Sequence, residues 1–452
     1  MKPRPPLPPG PYLVLGLARS GVAAAAALAA RGEQVIAVDS GPAERPALAE
    51  AAGRLRALGV EPHLDASGEA LAARAGTLVK SPGVPRSAPA VQAALSRGIP
   101  VIGELELAWR LLPGEFVAVT GTNGKTTTTE WIGHIHRTAA APVAVAGNVG
   151  TALSSLVDTI DSATTIVAEC SSFQLEDTEL FAPEAAVLLN LAPDHLDRHG
   201  SFEAYVAAKL RIFARQSNDD IAVAPTDLGI EDLGGCARRV CFGGPGAELS
   251  DHAGHLWWDE RALIAHENIA LPGAHNRQNA MAAAAACLAR GLAAEDVVEG
   301  LRTFRGVAHR LEAVATQDGV AYVNDSKATN VASTLVALAA FPAGSVHLIL
   351  GGQGKNQDFA PLAGPVRERC RVVYLIGEDA PAIAADLDLG PAGPPLIQSG
   401  TLERAVTAAR ACAQAGETVL LSPACASFDQ FTDFEARGEA FRALVTGSGD
   451  GH

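Results

Sequence analysis

Short apolar runs alternate with segments of helical period along most of this chain. Tyr12-Leu13-Val14-Leu15 predicts a buried strand, the alanine-rich stretch 22–30 a helix, and 34–38 a second strand ending at Asp39. Together they make a βαβ unit with a tight first turn, Gly16-Leu17-Ala18-Arg19-Ser20-Gly21. Runs 77–80 and 98–104 predict two more strands, and 105–112 a helix ending at Pro113-Gly114, where the pattern breaks. A strand at 117–120, a loop, and a helix over 128–137 follow. Buried strands are predicted at 164–168 and 186–190, a helix at 201–216, and a second alanine helix after 271–279. Strands at 320–323, 346–350, 372–376 and 418–421 complete a repeating β/α pattern. The fold class is α/β in three domains, with boundaries at 1–111, 112–306 and 307–452.

Composition narrows the classes. A chain of 452 residues fits three domains at about 150 residues each. The net charge of −15 argues against nucleic-acid binding through a broad basic surface, while leaving room for a local anion site. The seven cysteines include no Cys-x-x-Cys pair, which points to a reducing cytosol and against a zinc ribbon. The proline-rich start is unlike a targeting segment. The alanine runs fall far short of the ~20 residues that span a bilayer. A cytoplasmic protein with no membrane insertion is expected, and a monomer.

The most pointed chemistry is Val119-Thr120-Gly121-Thr122-Asn123-Gly124-Lys125-Thr126-Thr127. A strand, a glycine turn and a helix N-terminus can aim several N–H groups at a phosphate, with Lys125 reaching the terminal phosphates and Thr126 a Mg²⁺. Val119 stands where the common pattern has its first glycine. In the first turn Ala18 fills the middle position of Gly-x-Gly-x-x-Gly, which disfavours NAD and leaves a nucleotide diphosphate held differently, or a plain βαβ unit. Ser81, in Ser81-Pro82-Gly83, could donate to a phosphate or sugar. Glu169 ends a buried strand, where phosphate-loop enzymes hold magnesium, unless it caps the next helix. Asp194-His195-Leu196-Asp197-Arg198-His199 could serve a hard cation. Tyr205, Lys209, Ile212 and Phe213 fall on one helical stripe, so Lys209 either snorkels to solvent or has a specialised partner or modification. Asn276 and Asn279 near the second alanine helix could be caps. Asp325, Lys327 and Thr329, then Lys355, then Ser427 sit after predicted strands, where parallel sheets bind ligands.

In this order the chain carries Gly-Thr-Asn-Gly-Lys-Thr, Gly-Asn-Val-Gly, Glu-Cys-Ser-Ser-Phe-Gln-Leu-Glu, Asp-His-Leu-Asp-Arg, Leu-Pro-Gly-x-His-Asn, His-Arg, Asp-Ser-Lys-Ala-Thr-Asn and Ser-Pro-Ala-Cys-Ala-Ser-Phe-Asp-Gln-Phe. Together they resemble the Mur ligases of peptidoglycan synthesis, from Leu13 to Phe441, and within them the members that add D-glutamate. The resemblance implies a central phosphate-loop ATPase-like domain between two Rossmann-like domains. It implies that the first domain binds UDP-N-acetylmuramoyl-L-alanine through Leu17, Ala18, Ser40, Ser81 and Gly83, with Asn148 on the muramoyl part. ATP would lie on Gly121, Thr122, Asn123, Gly124, Lys125, Thr126 and Thr127, completed by Asn279, Arg310 and Asp325. Two Mg²⁺ ions would use Thr126 and Glu169, and His195 with a carbamylated Lys209. D-glutamate would meet Thr329, Lys355, Ser427, Phe428 and Phe434. Gly41 and Phe428 depart from the family, which often has an arginine and a leucine there.

The implied reaction activates the alanyl carboxylate as an acyl phosphate, which the glutamate amine then attacks, with Lys125, His195 and Lys209 as the catalytic set. Closure of the last domain about 304–309 is expected. The rivals are another Mur-type or folylpolyglutamate-type ligase and, from a different class, a non-catalytic nucleotide-binding sensor.

Overall fold

The computed structural model describes residues 2–148, 150–354 and 357–447. Its contacts divide the chain into two compact units, one running to Phe304 and the other beginning at Arg305. The first unit holds two sheets and the second holds one.

The first sheet is all parallel, in the spatial order Pro62–His63, Val35–Val38, Tyr12–Leu15, Thr77–Lys80, Val101–Gly103. Leu15 pairs with both Val38 and Lys80, so the turns after all three strands open along one carboxyl edge. The second sheet has nine strands. Six of them run parallel in the order Arg238–Gly243, Ile221–Pro225, Ala185–Leu188, Phe116–Thr120, Thr165–Glu169, Val143–Gly147. Leu249–His252 adds in parallel, and the hairpin His255–Trp258 and Arg261–Ala265 closes that end antiparallel. Strands between 221 and 265 were not foreseen. Those from 238 to 265 are half-polar towards the edge, so their apolar period is weak, whereas Ile221–Pro225 is apolar and fully buried and was passed over. The third sheet runs Glu312–Gln317, Val320–Asn324, Thr418–Leu421, Val346–Gly351, Cys370–Ile376, Leu396–Gly400, with only the first antiparallel.

Several expected bounds move for identifiable reasons. The helix after the phosphate loop begins at Lys125 rather than 128, because Gly124 in the left-handed region (φ 85°) closes the loop directly onto it. The expected helix over 201–216 is Phe202–Leu210, capped by Ser201, and the chain then turns. Tyr205, Lys209, Ile212 and Phe213 are all buried nonetheless. The expected strand 98–104 shrinks to Val101–Gly103, since Glu104 already starts the helix Glu104–Leu111.

The first two sheets belong to one unit because their junction is polar, buried and closed. Glu106, from the helix Glu104–Leu111, accepts backbone N–H groups of Glu179 (3.0 Å), Leu180 (3.2 Å) and Phe181 (2.9 Å). Glu104 accepts that of Ser154 at 2.6 Å. The proline-rich arm crosses the same seam. Arg4 lies over Trp109 and Phe116 and pairs with Glu184, while Pro9 and Pro11 carbonyls take donors from Thr77 and Gly76. All seven cysteines are free. No described helix is long and apolar enough to cross a membrane.

Candidate active site

The register of the central sheet builds the site. Val119 pairs with Glu169 and Thr120 with Leu188, so the phosphate loop opens between the ends of those two neighbouring strands. Gly121 (φ 151°) lies against Leu189, where a Cβ would come within 2.9 Å of the leucine Cβ. A Cβ on Gly124 would sit 2.2 Å from Asn279 Oδ1. Asn279 is thus pressed on the loop, and the second glycine is what admits it.

Side chains from neighbouring elements fix the rest of the loop. Asn190 holds Asn123 both ways, accepting its N–H at 2.9 Å and donating to its carbonyl at 3.1 Å. Thr122 Oγ1 lies 3.0 Å from the Tyr205 hydroxyl and accepts the Ala192 N–H at 3.0 Å. Lys125 Nζ donates to the carbonyls of Gly121 (3.0 Å) and Thr122 (2.9 Å). Thr126 is buried at the first turn of its helix, and Thr127 follows it half-buried.

Glu169 is buried at its strand end. It does not cap the next helix. Ser171 does, in a reciprocal arrangement with Gln174. Asn148 donates to Glu169 Oε1 at 3.0 Å. Lys209 is almost fully buried, with Nζ on Gly121 O at 2.8 Å and 4.7 Å from the Tyr205 ring centre. Among the described residues no carboxylate comes within ion-pair distance of it. Burial, reinforced by the nearby Lys125 charge, pulls its amine down to about 7. Snorkelling is ruled out by that burial. His195 is an exposed left-handed residue (φ 52°) at the start of the short helix Leu196–His199, its ring 4.9 Å from Phe173.

A buried carboxylate beside a hydroxyl at a phosphate loop is a hard-oxygen donor set that suits Mg²⁺. Among the described residues no three His, Cys, Asp or Glu side chains gather as a metal centre. A cation held by Thr126 and Glu169 would need further oxygen donors from outside the protein.

At the carboxyl edge of the first sheet the expected substrate residues are knitted together. Asp39 accepts the N–H groups of Leu17 (2.7 Å) and Gly41 (2.8 Å). That carboxylate clamps two turns. Ser81 donates to Gly16 O at 2.7 Å, which spends its proton inside the protein. Ser40, Ala18 and Gly83 are exposed, and Leu17 is buried. Leu17 and Ala18 also line one end of a 640 Å³ cavity running along the alanine face of the helix Arg19–Ala30 towards Thr151, Ser154 and Ser155.

In the second unit, Asp325 is buried, accepting from Ser422 Oγ at 2.7 Å and Leu311 N at 3.1 Å. Burial pushes its carboxyl up to about 6, and the charge of Arg310 opposes the shift. Thr329 lies on the loop that Asp325 begins. Ser427 is buried, its hydroxyl without a hydrogen-bond partner among the described residues. Phe428 is 62% exposed, and Phe434 is half-buried against His309. Lys355 lies outside the described residues. Neither Asn276 nor Asn279 caps its helix: Gly273 stands at the N-cap, and Asn276 donates back to Pro272 O at 2.9 Å.

Sequence reasoning passed over Arg437. It is buried and donates to Ser326 O (2.8 Å), Cys425 O (3.0 Å) and Ala426 O (3.3 Å), holding the loops of Thr329 and Ser427 together. The signal was present, since Arg437, Phe441 and Val445 repeat every four residues on the buried face of Phe434–Thr446.

Known proteins are similar over the whole of this layout. A family model described as Mur ligase MurD-like, N-terminal domain, matches residues 11–103; Mur ligase middle domain matches 119–287; and Mur ligase, glutamate ligase domain, matches 309–425. A UDP-N-acetylmuramoylalanine–D-glutamate ligase of Anaeromyxobacter dehalogenans is 46% identical, covering 96% of each chain. Its namesake in Acidobacterium capsulatum is 43% identical, covering 96% of this chain and 95% of its own. In fold, the UDP-N-acetylmuramate-alanine ligase of Thermotoga maritima superposes with a TM-score of 0.59 at 19% identity, covering 97% of this chain and all (100%) of its own. The MurF ligase from Thermotoga maritima in complex with ADP gives 0.52 at 18% identity, over 82% and 96%. With three family models in sequence order on its three sheets and relatives this similar along nearly its full length, the chain belongs to the Mur ligase family.

Proposed function

We infer that this chain is an ATP-dependent ligase that joins D-glutamate to UDP-N-acetylmuramoyl-L-alanine, forming ADP and phosphate, as a cytoplasmic step of peptidoglycan synthesis. The observation that carries this reading is the 43–46% identity, along nearly the full chain, with relatives of that name. The gathering of Lys125, Glu169, Lys209 and Asn279 at one sheet end supports it. A folylpolyglutamate-type ligase or a non-catalytic sensor finds no favouring observation.

Three functional segments are proposed, 1–111 for the UDP substrate, 112–306 for ATP and 307–452 for the amino acid. The UDP part would lie along the turns of Leu17, Ala18, Ser40, Ser81 and Gly83, with Asn148 near the muramoyl group. ATP phosphates would lie on Gly121–Thr127, with Asn279, Arg310 and Asp325 completing the nucleotide site. D-glutamate would be held by Thr329, Lys355, Ser427, Phe428 and Phe434.

An alanyl carboxylate oxygen attacks the γ-phosphorus of ATP. The bond to the β–γ bridging oxygen breaks, and ADP leaves. The glutamate amine attacks the acyl-phosphate carbonyl. The tetrahedral intermediate then expels phosphate, and the amine loses its proton. Every reacting partner before the amine is anionic, so positioning and charge neutralisation dominate. Lys125 neutralises the transferring phosphoryl group, and the loop N–H groups orient it. Mg²⁺, held by Thr126 and Glu169 and, for a second ion, by His195 and a carbamylated Lys209, would supply further neutralisation. The unit boundary at Phe304/Arg305 falls in the proposed hinge 304–309.

Phosphate release assayed with UDP-N-acetylmuramoyl-L-alanine and either D- or L-glutamate tests the reading. Release should require ATP, the UDP substrate and the D isomer together. Equal rates with L-glutamate, or release without the UDP substrate, would refute it.

A further inference from the structure

The turn after strand Thr77–Lys80 is held from outside its own sheet. Its carbonyls face two cations of the first unit. Arg198 donates to Pro82 O at 3.0 Å and to Val84 O at 3.1 Å. Lys80 donates to Val84 O at 2.7 Å while pairing with Asp177 at 2.7 Å. The turn itself is closed by Val84 N on Ser81 O at 3.0 Å.

Arg198 does not arrive on a loose loop. The carbonyl of His195 accepts the N–H groups of Arg198 (3.1 Å) and His199 (3.0 Å), so the three residues form one closed turn. One ring stacks that turn together. The Arg198 guanidinium lies 4.2 Å from the centre of Phe173, with the His195 ring at 4.9 Å and the His199 ring stacked at 5.3 Å. His199 is fixed in turn by Ser172 Oγ at 2.9 Å. A shift of His195 therefore carries Arg198 with it, and Arg198 carries the Pro82 and Val84 carbonyls. A guanidinium suits this task, because one terminal nitrogen, Nη2, serves both carbonyls while the flat group lies on the ring.

We propose that Arg198 is a positioning residue that couples the substrate turn Ser81–Gly83 to His195, so that binding of the UDP substrate and binding of the divalent cation beside His195 strengthen one another. The coupling rests on the site reading above, in which Ser81 and Gly83 face the UDP group and His195 a cation. Linkage makes the effect reciprocal: whatever factor the cation adds to substrate affinity, the substrate adds to cation affinity.

The test is calorimetric titration of UDP-N-acetylmuramoyl-L-alanine into the whole protein with a non-hydrolysable ATP analogue present. Mg²⁺ is either matched to the nucleotide or in large excess. In the native protein excess Mg²⁺ should tighten binding about tenfold, within the usual range of coupling between sites. In Arg198→Ala the substrate should bind more weakly and the Mg²⁺ effect should fall below about twofold. Arg198→Lys, which keeps a cation but loses the flat guanidinium face on Phe173, should recover part of both and serves also if the alanine variant does not fold. His195→Ala should lose the Mg²⁺ effect. Full Mg²⁺-dependent tightening in Arg198→Ala, or no such tightening in the native protein, overturns the coupling. Undiminished tightening in His195→Ala overturns the cation assignment beneath it, and the coupling with it.

Discussion

Lys125 and Lys209 point their ammonium nitrogens at the same backbone oxygen, that of Gly121, from 3.0 and 2.8 Å. One lysine comes from the helix of the phosphate loop and the other from a helix 84 residues on, so the shared acceptor exists only in the fold. Two like charges cannot both be comfortable there, and the buried one gives way.

Lys209 is therefore expected to be partly neutral near neutrality, the form that combines with CO₂ to give a carbamate. Its folded pKa, about 7, lies below the ordinary lysine value, so between the two the unfolded chain binds the extra proton. Stability should then rise with pH from about 7 towards 10 through this group. In CO₂-free buffer, Lys209→Met should stabilise the protein more at pH 6 than at pH 9, as read by denaturant midpoints. Lys209→Ala should lose activity, and short carboxylic acids should restore part of it by standing in for the carbamate. An unrescued but fully active Lys209→Ala would remove the carbamate.

Lys125→Ala should lower turnover by ~10²–10³, the usual cost of one electrostatic donor in such a site, with an unchanged melting profile. A folded variant of normal turnover would detach the loop from catalysis.

Gly124 has two separate reasons to be glycine. Its φ of 85° costs an L-residue about 1–2 kcal/mol, and any Cβ would meet Asn279 Oδ1. Gly124→Ala should therefore abolish nucleotide binding in a fluorescent-ATP titration. The double variant Gly124→Ala/Asn279→Gly, which removes the collision, should not restore it if Asn279 itself serves the nucleotide.

Among the described residues the buried Ser427 hydroxyl has no hydrogen-bond partner, a state that costs about 1–3 kcal/mol. A group kept at such a cost is a candidate for ligand contact. Ser427→Ala should raise the melting temperature slightly while raising the KM for glutamate about tenfold or more, the loss expected for a buried hydrogen bond to a charged ligand. A variant with unaltered KM would make the site merely structural.

Lys80 and Asp177 are both buried and join the first two sheets. Burial lowers the lysine and raises the carboxyl, so each needs the other to stay charged. Asp177→Asn should destabilise the first unit by about 3–5 kcal/mol, because it strands a buried ammonium. The double change Lys80→Met/Asp177→Leu should recover most of that in denaturant unfolding.

Much was legible in advance. The strands at Tyr12–Leu15 and Thr77–Lys80 and the glycine turn before Lys125 follow from local pattern, because apolar period and turn chemistry act between near neighbours. The stripe Tyr205, Lys209, Ile212, Phe213 was legible and is buried even though the helix stops at Leu210, but whether Lys209 snorkels or stays inside was not. The edge hairpin His255–Trp258 and Arg261–Ala265 was not legible, since half-exposed strands carry little period. Nor was the role of Asp39, whose partner Leu17 lies 22 residues away.

The sequence by itself determined the β/α order, the phosphate loop and its lysine, and the motifs that mark the family, all properties of contiguous residues. Tertiary structure alone decided which groups share an oxygen, that buried Lys80 and Asp177 meet, and that Arg198 reaches from the histidine turn to the substrate turn. Those depend on desolvation and on distances between residues 88 to 116 positions apart, which no local pattern encodes.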